Sequence, residues 1–442
     1  MRSMVRQPCG CVRKLGQSRA GEMQIHRLLR NPKVTVDKLA EQAGLRTGRL
    51  AQGLDVIVIQ DTCEISVNVP EAGRAGFGPV GRGGAVRGVL AHVGLCVDKA
   101  GSVLGLADMQ VRTRTGGKPV ADRSTRAFAD KESHRWLSTC EQAVRRLSGA
   151  RSITMVSDAE SDIYELFAGK PEAVELVVRS SRARRLVDGK MLAEKLEATP
   201  SCGIIERTIP AAPGRKQRRA RLELRFAEVT LKRPDKLGPE APAELVVNAV
   251  DVREIDPVEG VALVHWLIVT TYRIDNMAKA AETLDLYRGR FLIEQLFRTL
   301  KTAGFNIESV ELGDPKAFMA FTGFALLAAT SIMQLVKARD GKTGQLLAHA
   351  FEAHAFEADA FEADASEADD RPVLLAISRK LEGKTEKQKT PHPPDDLAFA
   401  AWVMARLGGW NCYYGKPGPE TMRNGLQRYH AIKLGTKAAK DV

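Results

Sequence analysis

The sequence predicts an α/β fold, a core of strands and helices interrupted by a β-rich insertion, with helical N- and C-terminal regions. Three observations carry this. Two short apolar, β-branched runs, DVIVIQD (Asp55–Asp61) and SITMVSD (residues 152–158), each end in a carboxylate, as a buried strand would. Alternating strands with basic turns, among them GRKQRRARLELR and VALVHWLIVTTY, fill roughly residues 174–272. A helical pattern then covers residues 277–302 and carries an acid, Glu294.

The other elements follow in order. Residues 24–52 read as short helices, the first stopped by Pro32 and the second capped by Thr35. GGAVRGVLAHVGLCVD and GSVLGLADMQVRTR are two strands joined by a turn at Lys99, Ala100 and Gly101. Trp136, Leu137, Cys140, Val144 and Leu147 have helical spacing within residues 131–147. Residues 317–336 carry no charge and are long enough to span a bilayer, but they include Thr322, Gly323, Thr330, Ser331 and Gln334. With no second such segment, a helix buried on all sides is the expected reading, and no membrane association.

Residues 350–369 repeat AFEAH, AFEAD, AFEAD, ASEAD, a five-residue period that builds no apolar stripe on a helix. The repeat is expected in a solvated loop or loose helix. A polar, Pro-rich linker at 383–394 leads to an apolar helix, LAFAAWVMARL, a Gly-rich turn and a terminal amphipathic helix.

At 442 residues the chain is too long for one ordinary domain, and 44% hydrophobic residues exclude wholesale disorder. Lys and Arg number 66 against 54 Asp and Glu, a net charge of +12. That excess favours a polyanion such as nucleic acid, with plain solubility as the bland alternative. Seven scattered cysteines form no disulfide framework, and the N-terminus has no apolar signal segment. Both suit a reducing cytoplasm.

The sharpest signal is YRGRFLIEQLFRTLK, residues 287–301. On a continuous helix Tyr287, Arg290, Glu294 and Lys301 fall within a sector ~60° wide, beside an apolar arc of Ile293, Leu296, Phe297 and Leu300. Tyr287 and Lys301 stand ~21 Å apart along the axis, too far to serve one phosphate. A metal ligand, Glu294, flanked by phosphate-binding groups along a DNA strand fits that geometry; the bland alternative is a face of solvated charges. Asp61 and Asp158 shift the balance, because phosphodiester displacement by two divalent cations calls for a few convergent carboxylates.

The chain resembles the bacterial cut-and-paste DDE transposases with a Tyr-Arg-Glu-Lys signature, the insertion-sequence group that includes transposon five. Tyr287, Arg290, Glu294 and Lys301 match that signature without a gap, IQDTCEIS matches the first-acid block, and VSDAESDIYELF matches the second. KESHRWL, HWLIVT and ARLGGWNCYYGKPGPETMRNG are similar to further family blocks. The resemblance covers roughly residues 16–442 outside the repeat.

It implies a ribonuclease-H-like catalytic core and an Mg²⁺-dependent endonuclease and strand-transfer reaction using two ions, with Mn²⁺ as a substitute. Asp61, Asp158 and Glu294 are then the catalytic metal ligands. Tyr287, Arg290 and Lys301 hold phosphates, Trp266 stacks on a flipped base, and Arg179 contacts DNA. Ser181 replaces a basic residue, for which Arg182 compensates. Asp162 is the fallback ligand and is expected to support the site. The implied partners are double-stranded DNA, both transposon ends and target, and a second copy of the chain in a homodimeric synaptic complex. The implied location is cytoplasmic, at the bacterial nucleoid.

The expected organisation is a shortened N-terminal helical DNA-binding region (1–52), a first catalytic-core segment (53–180), the β-rich insertion (181–262), a second catalytic-core segment (263–342), the repeat (343–372), and a linker with a C-terminal helical dimerisation region (373–442). A truncated remnant with nonspecific DNA binding or nuclease activity, and a non-catalytic inhibitor of transposition, are the alternative readings.

Overall fold

The computed structural model describes Met4 and residues 10–114, 127–210, 216–302, 304–341 and 371–438; the five-residue repeat lies outside them. The chain begins with α1 (Val12–Gly16), α2 (Arg19–Arg30) and α3 (Val36–Leu50), then β1 (Asp55–Ser66), β2 (Gly78–Val80), β3 (Val86–Asp98) and β4 (Val103–Arg112). Next come α4 (His134–Arg146), β5 (Ser152–Ser157), α5 (Tyr164–Gly169), β6 (Val174–Arg179) and α6 (Leu192–Glu197). Four antiparallel strands follow: β7 (Gly203–Ile209), β8 (Arg218–Lys232), β9 (Glu244–Ile255) and β10 (His265–Thr270). The remaining helices are α7 (Met277–Arg288), α8 (Phe291–Lys301), α9 (Pro315–Ala338), α10 (Arg371–Leu381), α11 (Leu397–Leu407) and α12 (Pro419–Ala438). The mixed α/β class is as expected.

Two compact units divide the chain. The first comprises Met1–Leu54, Thr62–Gly117 and Ile293–Val442; the second, Asp55–Asp61 and Lys118–Leu292. The division therefore falls within β1.

In the second unit the strands run in the order β1, β5, β6, β10, β9, β8, β7. β1, β5 and β6 are mutually parallel, and each later pair is antiparallel. The parallel strands are near-continuous apolar runs because helices cover parallel sheets on both faces; Met155, Val156, Leu176, Val177 and Val178 are fully buried. β8 instead alternates, with Ala220, Leu222 and Leu224 inside, as a half-covered strand does. That inner face meets Ala280, Leu284 and Tyr287 of α7. The expected β-rich insertion thus extends the parallel sheet through β10, whose Ile268 pairs with Arg179 of β6.

In the first unit β3 lies between β2 and β1, and β4 forms a hairpin with β3. The hairpin turn stands where the sequence places it: the Asp98 carboxylate accepts from the Ser102 N–H at 2.8 Å, and Gly101 takes φ +82°, a conformation that disfavours a side chain. α3 and α9 pack on β4. Thr35 caps α3 as expected, its hydroxyl accepting from the Lys38 N–H at 3.3 Å.

The uncharged segment is the body of α9. Among the described residues it is the one helix long and apolar enough to cross a membrane, and 89% of its apolar window is buried inside the fold. Its polar groups are satisfied there. The Thr322, Thr330 and Ser331 hydroxyls donate to carbonyls four residues back, and Gln334 Nε2 donates to the Leu104 carbonyl at 2.9 Å.

Two boundaries depart from expectation. β1 does not end at Asp61 but runs to Ser66, because Cys63 and Ile65 continue the alternation into the second half of the strand. The helix expected over residues 277–302 is two helices. At Gly289 the backbone N–H turns back to the Asp285 and Leu286 carbonyls, and Arg290 N–H to Tyr287, so the ladder closes off and restarts. Glycine, the poorest helix former after proline, marks the break.

Candidate active site

β1, β5 and β6 are held in a fixed parallel register that leads up to Asp61, Asp158 and Arg179. Asp55 pairs with Ser152 and Ile59 with Val156, a constant offset of 97 along β1 and β5. The pairing ends there, two residues short of Asp61 and Asp158. Between β5 and β6 the offset is 21, from Ile153 with Val174 to Ser157 with Val178, one residue short of Asp158 and Arg179. Asp61 therefore stands just past the paired stretch of β1, Asp158 just past the end of β5, and Arg179 at the end of β6.

The two acids have different surroundings. Asp61 accepts from Arg290 Nη1 at 2.9 Å, with both side chains under a fifth exposed. Asp158 leaves β5 and caps a short 3₁₀ turn, its Oδ1 accepting from the Glu160 N–H at 3.0 Å. Ser161 closes that turn by donating to the Asp158 carbonyl at 2.7 Å. Among the described residues Asp158 has no cationic partner.

Asp162, four residues on, is not a second ligand candidate here. It is fully buried and its oxygens are occupied by the Ser180 hydroxyl, the Ser181 and Arg182 N–H groups and the Arg184 guanidinium. Its bonds hold the segment that follows β6. Arg184 is a residue that sequence reasoning missed; nothing in SSRARR singles it out.

The Tyr-Arg-Glu-Lys run does not lie on one helix, and the break at Gly289 is the reason. Tyr287 lies in the last turn of α7, buried, its ring edge-on to Trp266 with centroids 5.8 Å apart. Arg290 stands in the break. Only Glu294 and Lys301 share a helix, α8, seven residues and ~10 Å apart on nearly the same face. Glu294 is exposed and belongs to the first unit. Trp266 is half-buried on β10 against the core cluster. Arg179 and Arg182 are exposed.

Lys301 is engaged rather than open: its ammonium lies 3.2 Å from Glu308. Glu308 also accepts from the Ser66 N–H at 3.0 Å and the Ser66 hydroxyl at 2.9 Å. Burial alone would raise the Glu308 pKa, but these bonds and the Lys301 charge outweigh it and hold the carboxyl below its ordinary value. A carboxyl depressed in the fold contributes stability above its unfolded pKa, and that stability is lost as the pH falls through the folded value. Glu308→Gln should therefore cost on the order of 1 kcal/mol at pH 7, the figure being discounted for partial exposure, and progressively less as the pH falls below the ordinary carboxyl range through the folded value. Urea unfolding at pH 7 and in that acid range checks this; an equal cost at both removes the ionic account.

Asp61 and Asp158 offer hard oxygen donors at the ends of their paired segments, the kind Mg²⁺ takes. Among the described residues no group of three or more His, Cys, Asp or Glu side chains is gathered to hold a metal ion. Asp61 and Asp158 belong to the second unit and Glu294 to the first. No protein-family model matches the chain.

Proposed function

We propose that the chain is a DDE-type DNA transposase with a ribonuclease-H-like core. It cuts transposon ends and joins them to target DNA by Mg²⁺-dependent phosphodiester chemistry, acting as a homodimer on double-stranded DNA at the nucleoid. The observation that carries this reading is that Asp61, Asp158 and Arg179 each lie at or just beyond the carboxyl end of the paired stretch of three neighbouring parallel strands. Two acids at the carboxyl ends of neighbouring parallel strand segments, with an arginine on the next strand, suit a phosphodiester whose negative charge must be held and neutralised. The parallel order β1, β5, β6 and the β3–β4 hairpin that stands next to β1 support the fold reading.

Asp61, Asp158 and Glu294 would hold the ions, which when bound supply charge neutralisation and activation of the attacking oxygen. The protein's own groups do the rest. Arg290 fixes the Asp61 carboxylate in orientation through its 2.9 Å bond. Arg179, Arg182 and Lys301 bind phosphates as fixed positive charges, Lys301 exchanging its Glu308 partner for one. Tyr287 braces Trp266, whose exposed edge offers an apolar surface to an extruded base.

The test is cleavage. Purified chain, Mg²⁺ and a duplex bearing the inverted repeat that flanks its own gene should give end-cleaved and strand-transfer products. Glu294→Ala or EDTA should remove them. Absence of products from the wild type, or wild-type product levels from Glu294→Ala, overturns the reading.

A further inference from the structure

Beyond Arg179 the chain leaves β6 and turns through residues 180–185, and one buried acid shapes that turn. Asp162 Oδ2 accepts from the Ser180 hydroxyl at 2.9 Å and from the Ser181 and Arg182 N–H groups, each at 3.1 Å. Its Oδ1 takes both Nε, at 2.8 Å, and Nη2 of Arg184. Asp162 is 0% exposed and Arg184 8%, and the Arg184 guanidinium also covers the Phe167 ring at 5.5 Å. A carboxylate this deep persists only with its hydrogen-bonding capacity met, so the turn is pinned to it by the Ser180 hydroxyl and by the backbone at the next two residues.

The pinned turn presents a particular set of side chains. Arg182 and Arg185 are exposed, as is Arg179 at its start. Among the described residues none of these three guanidiniums has a hydrogen-bond or ion-pair partner. Elsewhere in the same unit the cations of Arg151, Arg207 and Arg221 each pair with a carboxylate. Three unpaired arginines within seven residues repel one another, an arrangement that suits a polyanion and that a loose turn would relax by spreading. The turn begins directly after β6, which pairs with β5 as far as Ser157 with Val178.

We propose that Asp162 and Arg184 are positioning residues, holding residues 180–185 as a phosphate-binding rim. A DNA strand whose scissile phosphate lies at Asp61 and Asp158 sets neighbouring phosphates on Arg179, Arg182 and Arg185. The inference rests on the transposase reading for the scissile position, and its binding component is tested without catalysis.

The experiment is fluorescence anisotropy of a labelled duplex with the full chain in EDTA, across a salt series. Arg182→Ala with Arg185→Ala should weaken binding about tenfold at moderate salt and flatten the slope of log K against log salt by ~0.9 per lost contact. Arg184→Lys, which keeps the charge but not the planar fork, should weaken binding similarly. Added to the double alanine variant it should cause no further loss, because it acts through the same arginines. An unchanged salt slope in the double alanine variant overturns the proposal, and so does an additive loss from Arg184→Lys. If Arg184→Lys has no melting transition, the double alanine variant alone decides. A wild type that fails to cleave in Mg²⁺ while the slope still flattens overturns the transposase reading and leaves the rim standing.

Discussion

Asp158→Asn should abolish Mg²⁺-dependent strand cleavage, by about three orders of magnitude or more, while leaving the melting temperature within about 2 °C of wild type. Asp162→Asn, four residues along the same block, should do the opposite. Asp158 is half-exposed, and its only side-chain bond among the described residues is to the Glu160 N–H, which an asparagine oxygen accepts equally well. Removing its charge costs the fold little and costs a metal site one of its anionic donors. Asp162 is fully buried against the Arg184 guanidinium, so an asparagine there strands a buried cation. Such a break costs roughly 3–5 kcal/mol, on the order of 10 °C in melting temperature for a unit of this size. At saturating DNA and a temperature where it is folded, Asp162→Asn should keep its turnover rate and lose affinity. Calorimetry and single-turnover cleavage on both variants decide the matter. A cleavage defect in Asp162→Asn at saturating DNA that equals that of Asp158→Asn would place the ligand at the wrong residue.

Gly425→Ala should destabilise the first unit by about 3 kcal/mol, although alanine is the better helix former by about 1 kcal/mol. Gly425 stands in α12 where it crosses α11, and a Cβ there would lie 1.7 Å from the Met404 carbonyl oxygen. The obstacle is backbone inside a buried helix, since Met404 is 0% exposed, so no side-chain rotation relieves it. Gly435 in the same helix supplies the control, because a Cβ there meets nothing within 4 Å. Gly435→Ala should therefore stabilise by up to about 1 kcal/mol. Urea unfolding of the pair separates the two effects. If both glycines respond alike, α11 and α12 do not cross as described.

Local chemistry made much of this molecule readable in advance. The β-branched runs ending at Asp61 and Asp158 announced their strands because burial on both faces demands continuous apolar residues. Thr35, Pro32 and Gly101 announced ends and turns through their own backbone preferences. What the sequence withheld is long-range. That the runs leading to Asp61 and Asp158 lie side by side follows from a register between strands 97 residues apart, which no local pattern encodes. The partners of Asp162 lie 18 to 22 residues downstream. The helical stripe of Tyr287, Arg290, Glu294 and Lys301 is spacing without continuity: the residues match the signature, but Gly289 splits the helix that the spacing assumes. The engagement of Lys301 by Glu308 was equally invisible, since Glu308 sits in a 3₁₀ turn whose role depends on Ser66, 242 residues away.

The placement of the unit boundary within β1 has a consequence for how the chain is made. On a ribosome the second unit is finished once residue 292 has emerged, whereas the first stays incomplete until Ile293–Val442 follows. In that interval β3 and β4, buried along nearly their whole length in the finished fold, lack the cover of α9. The nascent protein thus exposes a long apolar hairpin until its last third is synthesised, the kind of segment that recruits chaperones or pairs with a neighbouring chain. Yield of folded protein should accordingly depend on how fast residues 293–338 are translated.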